Sequence, residues 1–221
     1  MIPAQEPVQT EKKPPSLSAN ALKILACAAM FADHAVKGWN VGGMTRTLLS
    51  NVLGRIAFPI YCFFLVEGFF HTKDRRKYLL RLVVFAFISE VPFDLVSART
   101  MVNWNHQNTL WSLSLGLVLF LCLSYVESFR DMRNGLSWCL RLLLVAGFAV
   151  AAHYLHVDYH ERGLLCMAVL YFFRNERPRS LPVLWSCLPL NMRHFSNPGS
   201  FLAAFPLHFY KGEHEIGRAH V

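Results

Sequence analysis

Charge is scarce in this chain. Of 221 residues, 16% are Asp, Glu, Lys or Arg, where soluble domains carry about 25%. Acids are the scarcer sign, 14 against 22 Lys and Arg, for a net charge of +8. The six cysteines, Cys27, Cys62, Cys122, Cys139, Cys166 and Cys187, have no metal or redox spacing; they read as small buried hydrophobes, not as a disulfide framework. There is no internal repeat and no polar stretch long enough for a soluble domain. These absences exclude a disordered chain, a disulfide scaffold and most soluble single-domain enzymes. What is abundant is apolar: 54% hydrophobic residues, 18 of them Phe, with a mean hydropathy of +0.31. The predicted fold class is all-α, a polytopic membrane bundle of about six to eight hydrophobic segments.

Five segments meet or approach the roughly 20 apolar residues a span needs: Leu17–Val36, Thr47–Phe70, Tyr78–Ser97, Thr109–Ser128 and Leu136–Val157. Three shorter ones follow, Gly163–Phe173, Leu181–Leu190 and Phe201–Tyr210, expected to be tilted, joined or re-entrant. The polar, proline-bearing Met1–Ser16 reads as a disordered lead-in. The basic residues sit in short loops, so the positive charge is assigned to membrane topology and not to nucleic acid. Lys12, Lys13, Lys73, Arg75, Arg76, Lys77, Arg130, Arg133, Arg174, Arg177 and Arg179 fall at one set of ends. Only Lys37, Arg46, Arg99 and Arg162 fall at the other. That bias predicts a cytoplasmic N-terminus.

An ionisable residue inside a span costs about 2.5–3.5 kcal/mol on insertion scales, so each is a functional candidate. With this topology Asp33, His34, Arg55, Glu90 and Asp94 lie at outer depths, Asn108 and Thr109 open the fourth span, and Asp158 and Tyr159 follow the fifth. Glu67 lies toward the opposite end. Glu90 and Asp94 are four residues apart, on one helix face, with Pro92 between them freeing a backbone carbonyl. Arg55 is the expected partner of these acids, as a structural ion pair or as part of a site. His34 is the residue able to exchange a proton near neutral pH, with Asp33, Glu90 or Asp94 to orient it; the plainer alternative is an interfacial histidine. His153, His156 and His160 read more simply as an interfacial loop than as a metal site, so no metal is assigned. The Thr72–Lys77 stretch is a positive-inside anchor, and Lys73, Arg75, Arg76 and Lys77 are also placed to hold the phosphates of an acyl donor.

Several of these residues stand in a recognisable order. Asp33-His34, Gly54-Arg55-Ile56-Ala57-Phe58-Pro59-Ile60, Glu67-Gly68-Phe69, and the run from His71-Thr72 through Tyr78-Leu79-Leu80-Arg81-Leu82 to Ile88-Ser89-Glu90-Val91-Pro92-Phe93-Asp94 resemble the TraX family. Asn108-Thr109-Leu110, Asp158-Tyr159 with Gly163, and Phe205-Pro206 with Tyr210-Lys211-Gly212 extend the likeness over Leu17–Glu213. The resemblance implies a membrane acetyltransferase of the kind that N-acetylates F-like pilin, within the wider group of transmembrane acyltransferases that use acyl-CoA and a histidine. It makes His34 the catalytic base, with Asp33, Arg55, Glu90, Asp94 and Asn108 around it. It implies acetyl-CoA as donor, and pilin or a glycan as acceptor, in the bacterial cytoplasmic membrane. One departure is Tyr159-His160 where the family pattern has tyrosine-glycine. Another is the terminal Glu215-Ile216-Gly217-Arg218-Ala219-His220-Val221, which reads as a translated sequencing adapter. Residues 214–221 are therefore expected to be non-native and the membrane domain, 17–213, to be truncated at its C-terminal end. The competing functional class is a small-solute or proton-coupled transporter, since buried charges around a proline-broken helix also mark a substrate path.

Overall fold

The computed structural model describes residues 17–39, 41–129, 133–192 and 198–210. The expected lead-in (1–16) and the tail (214–221) lie outside the described residues. The helices are α1 (Ala19–Gly38), α2 (Gly43–Arg46), a π-helical segment (Thr47–Leu53), α3 (Gly54–His71), α4 (Arg75–Ser97), α5 (Thr109–Ser128), α6 (Asn134–Tyr154), α7 (His160–Phe172), α8 (Ser180–Asn191), a 3₁₀ segment (Pro198–Ala203) and α9 (Ala204–His208). No strand occurs among the described residues; two isolated bridges, Leu17 to Tyr210 and Gln107 to Val157, tie connections together. Among the described residues four stretches are long and apolar enough to cross a membrane, Ala19–Gly38, Gly43–His71, Thr109–Ser128 and Asn134–Tyr154; the expected span Tyr78–Ser97 is not one of them. The chain is a helical membrane bundle.

Side chains set the starts of α1, α4 and α5. Ser18 accepts from the Ala21 N–H at 3.2 Å, Asp74 from the Lys77 N–H at 3.0 Å, and Asn108 from the Leu110 N–H at 2.9 Å. Each satisfies a donor that the first helical turn leaves free. α4 continues through Pro92 to Ser97.

α3 is the centre. It buries Ala57, Phe58, Ile60, Cys62, Phe63, Leu65, Val66 and Phe69, and packs against α1, α5, α7, α8 and the 3₁₀ segment. α4 and α6 form the rim. α4 exposes Leu80, Val84, Phe87, Ile88, Val91 and Leu95, and α6 exposes Leu136, Leu142, Leu143 and Val150. In a bilayer an apolar outer face is solvated by acyl chains, so these rows carry no penalty there. Short α8 leads one way and the 3₁₀ segment with α9 returns, since Leu17, at the start of α1, bonds the Phe209 carbonyl at 3.1 Å.

One end of the bundle is drawn together by close approaches. A Cβ built on Gly54 would lie 2.7 Å from Asp33 Cβ, so α1 and α3 touch here only because residue 54 is glycine. The π-helical segment just before it carries buried Ser50, whose hydroxyl donates to Asp33. Extra-wide helical turns of this type often re-aim a side chain at a functional site.

Candidate active site

Asp33 and His34 leave α1 near its C-terminal end and enter different surroundings. The two Asp33 oxygens are taken by Ser50 and, at 2.6 Å, by Lys37. The His34 ring is held instead by the main chain: Nδ1 lies 2.8 Å from the Met30 carbonyl. A carbonyl only accepts, so Nδ1 carries a proton and, in the neutral ring, Nε2 keeps the lone pair. Phe93 flanks the ring at 6.1 Å. Asp33 Oδ2 sits 3.6 Å from Nδ1, a secondary contact.

Arg55 departs from expectation. It does not pair with Glu90 or Asp94. Its guanidinium lies 5.9 Å from the Tyr159 ring centre, with Asp33 and Asp158 as its nearest opposite charges. Tyr159 is itself stacked on Phe58, centroids 3.9 Å apart. Burial, then the neighbouring Asp158, pushes the Tyr159 phenol well above its ordinary value, so it remains a neutral hydroxyl.

Glu90 and Asp94 serve the connection between α4 and α5. Glu90 Oε2 accepts from Asn108 Nδ2 at 2.6 Å and from Trp111 Nε1 at 2.8 Å. Asp94, fully buried, accepts from the Asn103 N–H at 2.7 Å. Their other oxygens, Glu90 Oε1 and Asp94 Oδ1, are buried without a hydrogen-bond partner among the described residues. Asn108 is fully committed: Nδ2 bonds the Ala86 carbonyl at 2.9 Å as well as Glu90, and Oδ1 caps α5. An amide with no hydrogen left over is scaffold.

These side chains enclose two cavities that meet at His34. The polar one, about 470 Å³, has Asp33, His34, Arg55, His106, Thr109 and Asp158 in its wall. The apolar one, about 410 Å³, continues from His34 between Met30, Tyr61, Ser89, Pro92 and Leu113. Asp158 is held by Thr109 Oγ1 at 2.5 Å and the Tyr159 N–H at 3.0 Å, with His106 Nε2 at 3.8 Å. The link between α6 and α7 bends sharply: His156, Tyr159 and His160 all have positive φ, 52°, 61° and 45°. Non-glycine residues in that region store backbone strain, which persists where the surroundings over-determine it.

The basic loop is at the other end. From Arg75 to Phe93, beside His34, α4 rises about 27 Å at 1.5 Å per residue. Arg75 lies over the Phe69 ring at 4.1 Å, Lys77 pairs with Asp74 at 3.5 Å, and Lys73 and Arg76 are exposed. Glu67, at this end, forms a buried ion pair with Arg179.

The family model described as TraX protein matches residues 18–210. The chain belongs to the TraX family. A curated relative, "Probable fimbrial assembly protein FimC, serogroup H1" of Dichelobacter nodosus, is 26% identical over 211 residues, covering 89% of this chain and 85% of the relative. No solved structure matches. In this TraX-family chain, reading by spans missed Ser50, Asn103, His106 and Trp111. Ser50 is a lone hydroxyl in an apolar stretch, with no local signal. Asn103 and His106 lie in a polar link whose only hint is its density of Asn, His and Gln.

Proposed function

We propose that the chain is an integral membrane acetyltransferase that moves an acetyl group from acetyl-CoA to an amine, such as a pilin N-terminus, or to a hydroxyl. The observation that carries the reading is His34: its Nδ1 is fixed by the Met30 carbonyl, and its ring lines both cavities. A base needs a defined tautomer and access to the group it deprotonates. The match to the TraX family and the fimbrial assembly relative support a pilin-type acceptor. The protein sits in the bacterial cytoplasmic membrane with its N-terminus and the Thr72–Lys77 loop on the cytoplasmic side.

In this reading His34 Nε2 takes the acceptor N–H or O–H proton as nitrogen or oxygen attacks the thioester carbonyl carbon. The C–S bond breaks, and the imidazolium returns the proton to the leaving thiolate. Arg55 faces the charge that develops on the carbonyl oxygen. Asp33 keeps the ring's neighbourhood negative while Lys37 and Ser50 hold it in place. Glu90 and Asp94 position the α4–α5 connection that bears Asn103 and His106. Lys73, Arg75, Arg76 and Lys77 receive the donor phosphates, and the apolar cavity beside Ser89 and Pro92 provides part of the thioester's path along α4.

Proteoliposomes containing the full chain, acetyl-labelled acetyl-CoA and a membrane-embedded pilin-type peptide test this. Label transferred to the peptide's amino terminus, and lost in His34→Gln, is the expected result. Solute flux without acyl transfer would replace it with a transporter.

A further inference from the structure

Beside the polar cavity, and sharing its Arg55, His106, Asp158 and Tyr159 wall, lies a third cavity of about 250 Å³ closed by His160, Arg162 and Ser200. Its charge is lopsided. Asp158 is the single acid in the wall, and it is already engaged by Thr109, the Tyr159 N–H and His106. Neither arginine forms a direct ion pair among the described residues, although Arg55 shares a hydrogen bond with the Tyr159 side chain. Arg55 rests against the Tyr159 ring without a direct ion pair. Arg162 makes neither an ion pair nor a hydrogen bond among the described residues, and its Nε is buried. His160 Nδ1 is likewise buried without a partner. α7, a helix of 13 residues, starts at this wall with no side-chain cap, which adds the positive end of its peptide dipoles.

The buried Arg162 Nε and His160 Nδ1, left without partners among the described residues, are costly unless something else meets them. A carboxylate satisfies one arginine fork, whereas a phosphate presents enough oxygens for two forks and the imidazoles together. We infer that Arg55, Arg162, His106 and His160 form a phosphate subsite opening into the His34 cavity. Its ligand is a phosphate monoester or diphosphate. That group is supplied either by a lipid headgroup or by a soluble phosphorylated compound. The subsite stands on charge and geometry alone, so it does not depend on His34 transferring an acetyl group.

The test measures binding, not turnover. The full chain is placed in nanodiscs of neutral phosphatidylcholine and titrated with inorganic pyrophosphate at constant ionic strength. Saturable binding is expected, weakened at least about tenfold in Arg162→Gln and less in Arg162→Lys, which keeps the charge but not the fork. Arg133→Gln, at the far end, should match the parent. A second arm repeats the titration with phosphatidic acid, whose headgroup is a phosphate monoester, in the disc. Competition by the lipid assigns a headgroup, and its absence assigns a soluble phosphate; either outcome keeps the subsite. No saturable binding of any probe overturns it. So does binding that survives both Arg162 variants, or that is lost with Lys73→Gln or Arg76→Gln and not with Arg162→Gln. Arg162→Lys, the milder change, covers the case in which Arg162→Gln does not fold.

Discussion

The two ends of this bundle handle charge in opposite ways. At the Glu67 end, opposite charges are paired and the space is closed, although Arg141 and Arg179, as Arg162 does, each keep a buried Nε without a partner among the described residues. Glu67 pairs with Arg179. Glu127 accepts from the Tyr171 hydroxyl at 3.0 Å, with Arg141 and Arg174 at 3.7 and 4.0 Å. Arg75 and Arg174 cover the Phe69 and Phe70 rings at 4.1 and 4.3 Å. The cavity there is about 10 Å³, too small to hold a ligand. At the His34 end, three contiguous cavities open, Arg55 and Arg162 lack direct carboxylate partners among the described residues, and backbone strain is concentrated. Closed packing and open cavities thus occupy different ends of the same helices, α3 contributing Glu67 to one and Arg55 to the other.

The largest effect expected from breaking this contrast is on turnover. General-base catalysis contributes about 10²- to 10⁴-fold, so His34→Ala should lower acetyl transfer by that factor with little change in thermal unfolding. His34→Gln should lose nearly as much, because an amide keeps the polarity and cannot carry the proton. Near-parental transfer in both variants would move the base elsewhere.

Next comes the matched end. Removing one member of a buried pair leaves the other uncompensated, at about 3–5 kcal/mol. Glu67→Ala should therefore unfold at markedly lower temperature or denaturant, while the double change Glu67→Met with Arg179→Met stays close to the parent. Both variants that still fold should retain the His34 cavity and its chemistry. If Glu67→Ala proves as stable as the parent, the pairing at this end is not what closes it.

The same division explains what could be read in the sequence. Span periodicity and caps are local, so Thr109–Ser128 is identical in sequence reading and structure, and α1, α4, α6, α7 and α8 differ by a few terminal residues. Asp33, His34, Arg55, Asp158 and Tyr159 do converge, as depth within their spans suggests. Depth does not tell which way a side chain turns around its helix, and there the pairing of Arg55 with Glu90 or Asp94 failed. Arg55 faces α1 and the α6–α7 link, whereas the acids face the α4–α5 link and Trp111. The third cavity was illegible for a related reason: Arg162 counts in sequence as one more loop cation, and its lack of a counter-charge exists only in three dimensions.

A subtler break is Gly54→Ala. The added methyl would meet Asp33 Cβ at 2.7 Å, on the stem of the side chain next to the α1 backbone. Relief requires α1 to move, an overpacking cost of about 1–3 kcal/mol. That shift would also displace His34, so transfer should fall together with stability. Gly116→Ala is the comparison: its methyl meets the flexible end of Met167, remote from His34, and should alter stability alone. Equal loss of transfer in the two variants would show that Gly54 has no special part in placing the His34 end.

The smallest effect is expected at His160, and it runs in the opposite direction. With φ at 45° this residue occupies the left-handed region, which costs a non-glycine residue on the order of 1 kcal/mol. Glycine pays no such cost, although its extra freedom in the unfolded chain offsets part of the gain. His160→Gly should accordingly raise stability by about 0.5–1 kcal/mol, while His160→Ala, which must adopt the same φ, should not. Thermal unfolding of the pair separates backbone strain from loss of the imidazole, since both variants lose the ring. If the strain keeps Asp158 and Tyr159 facing the cavity, the glycine variant will also transfer acetyl a few-fold more slowly, because the freed link samples other arrangements. Equal stability of the glycine and alanine variants would mean that the left-handed turn is held at no cost, and the contrast between a relaxed end and a strained one would then rest on charge alone.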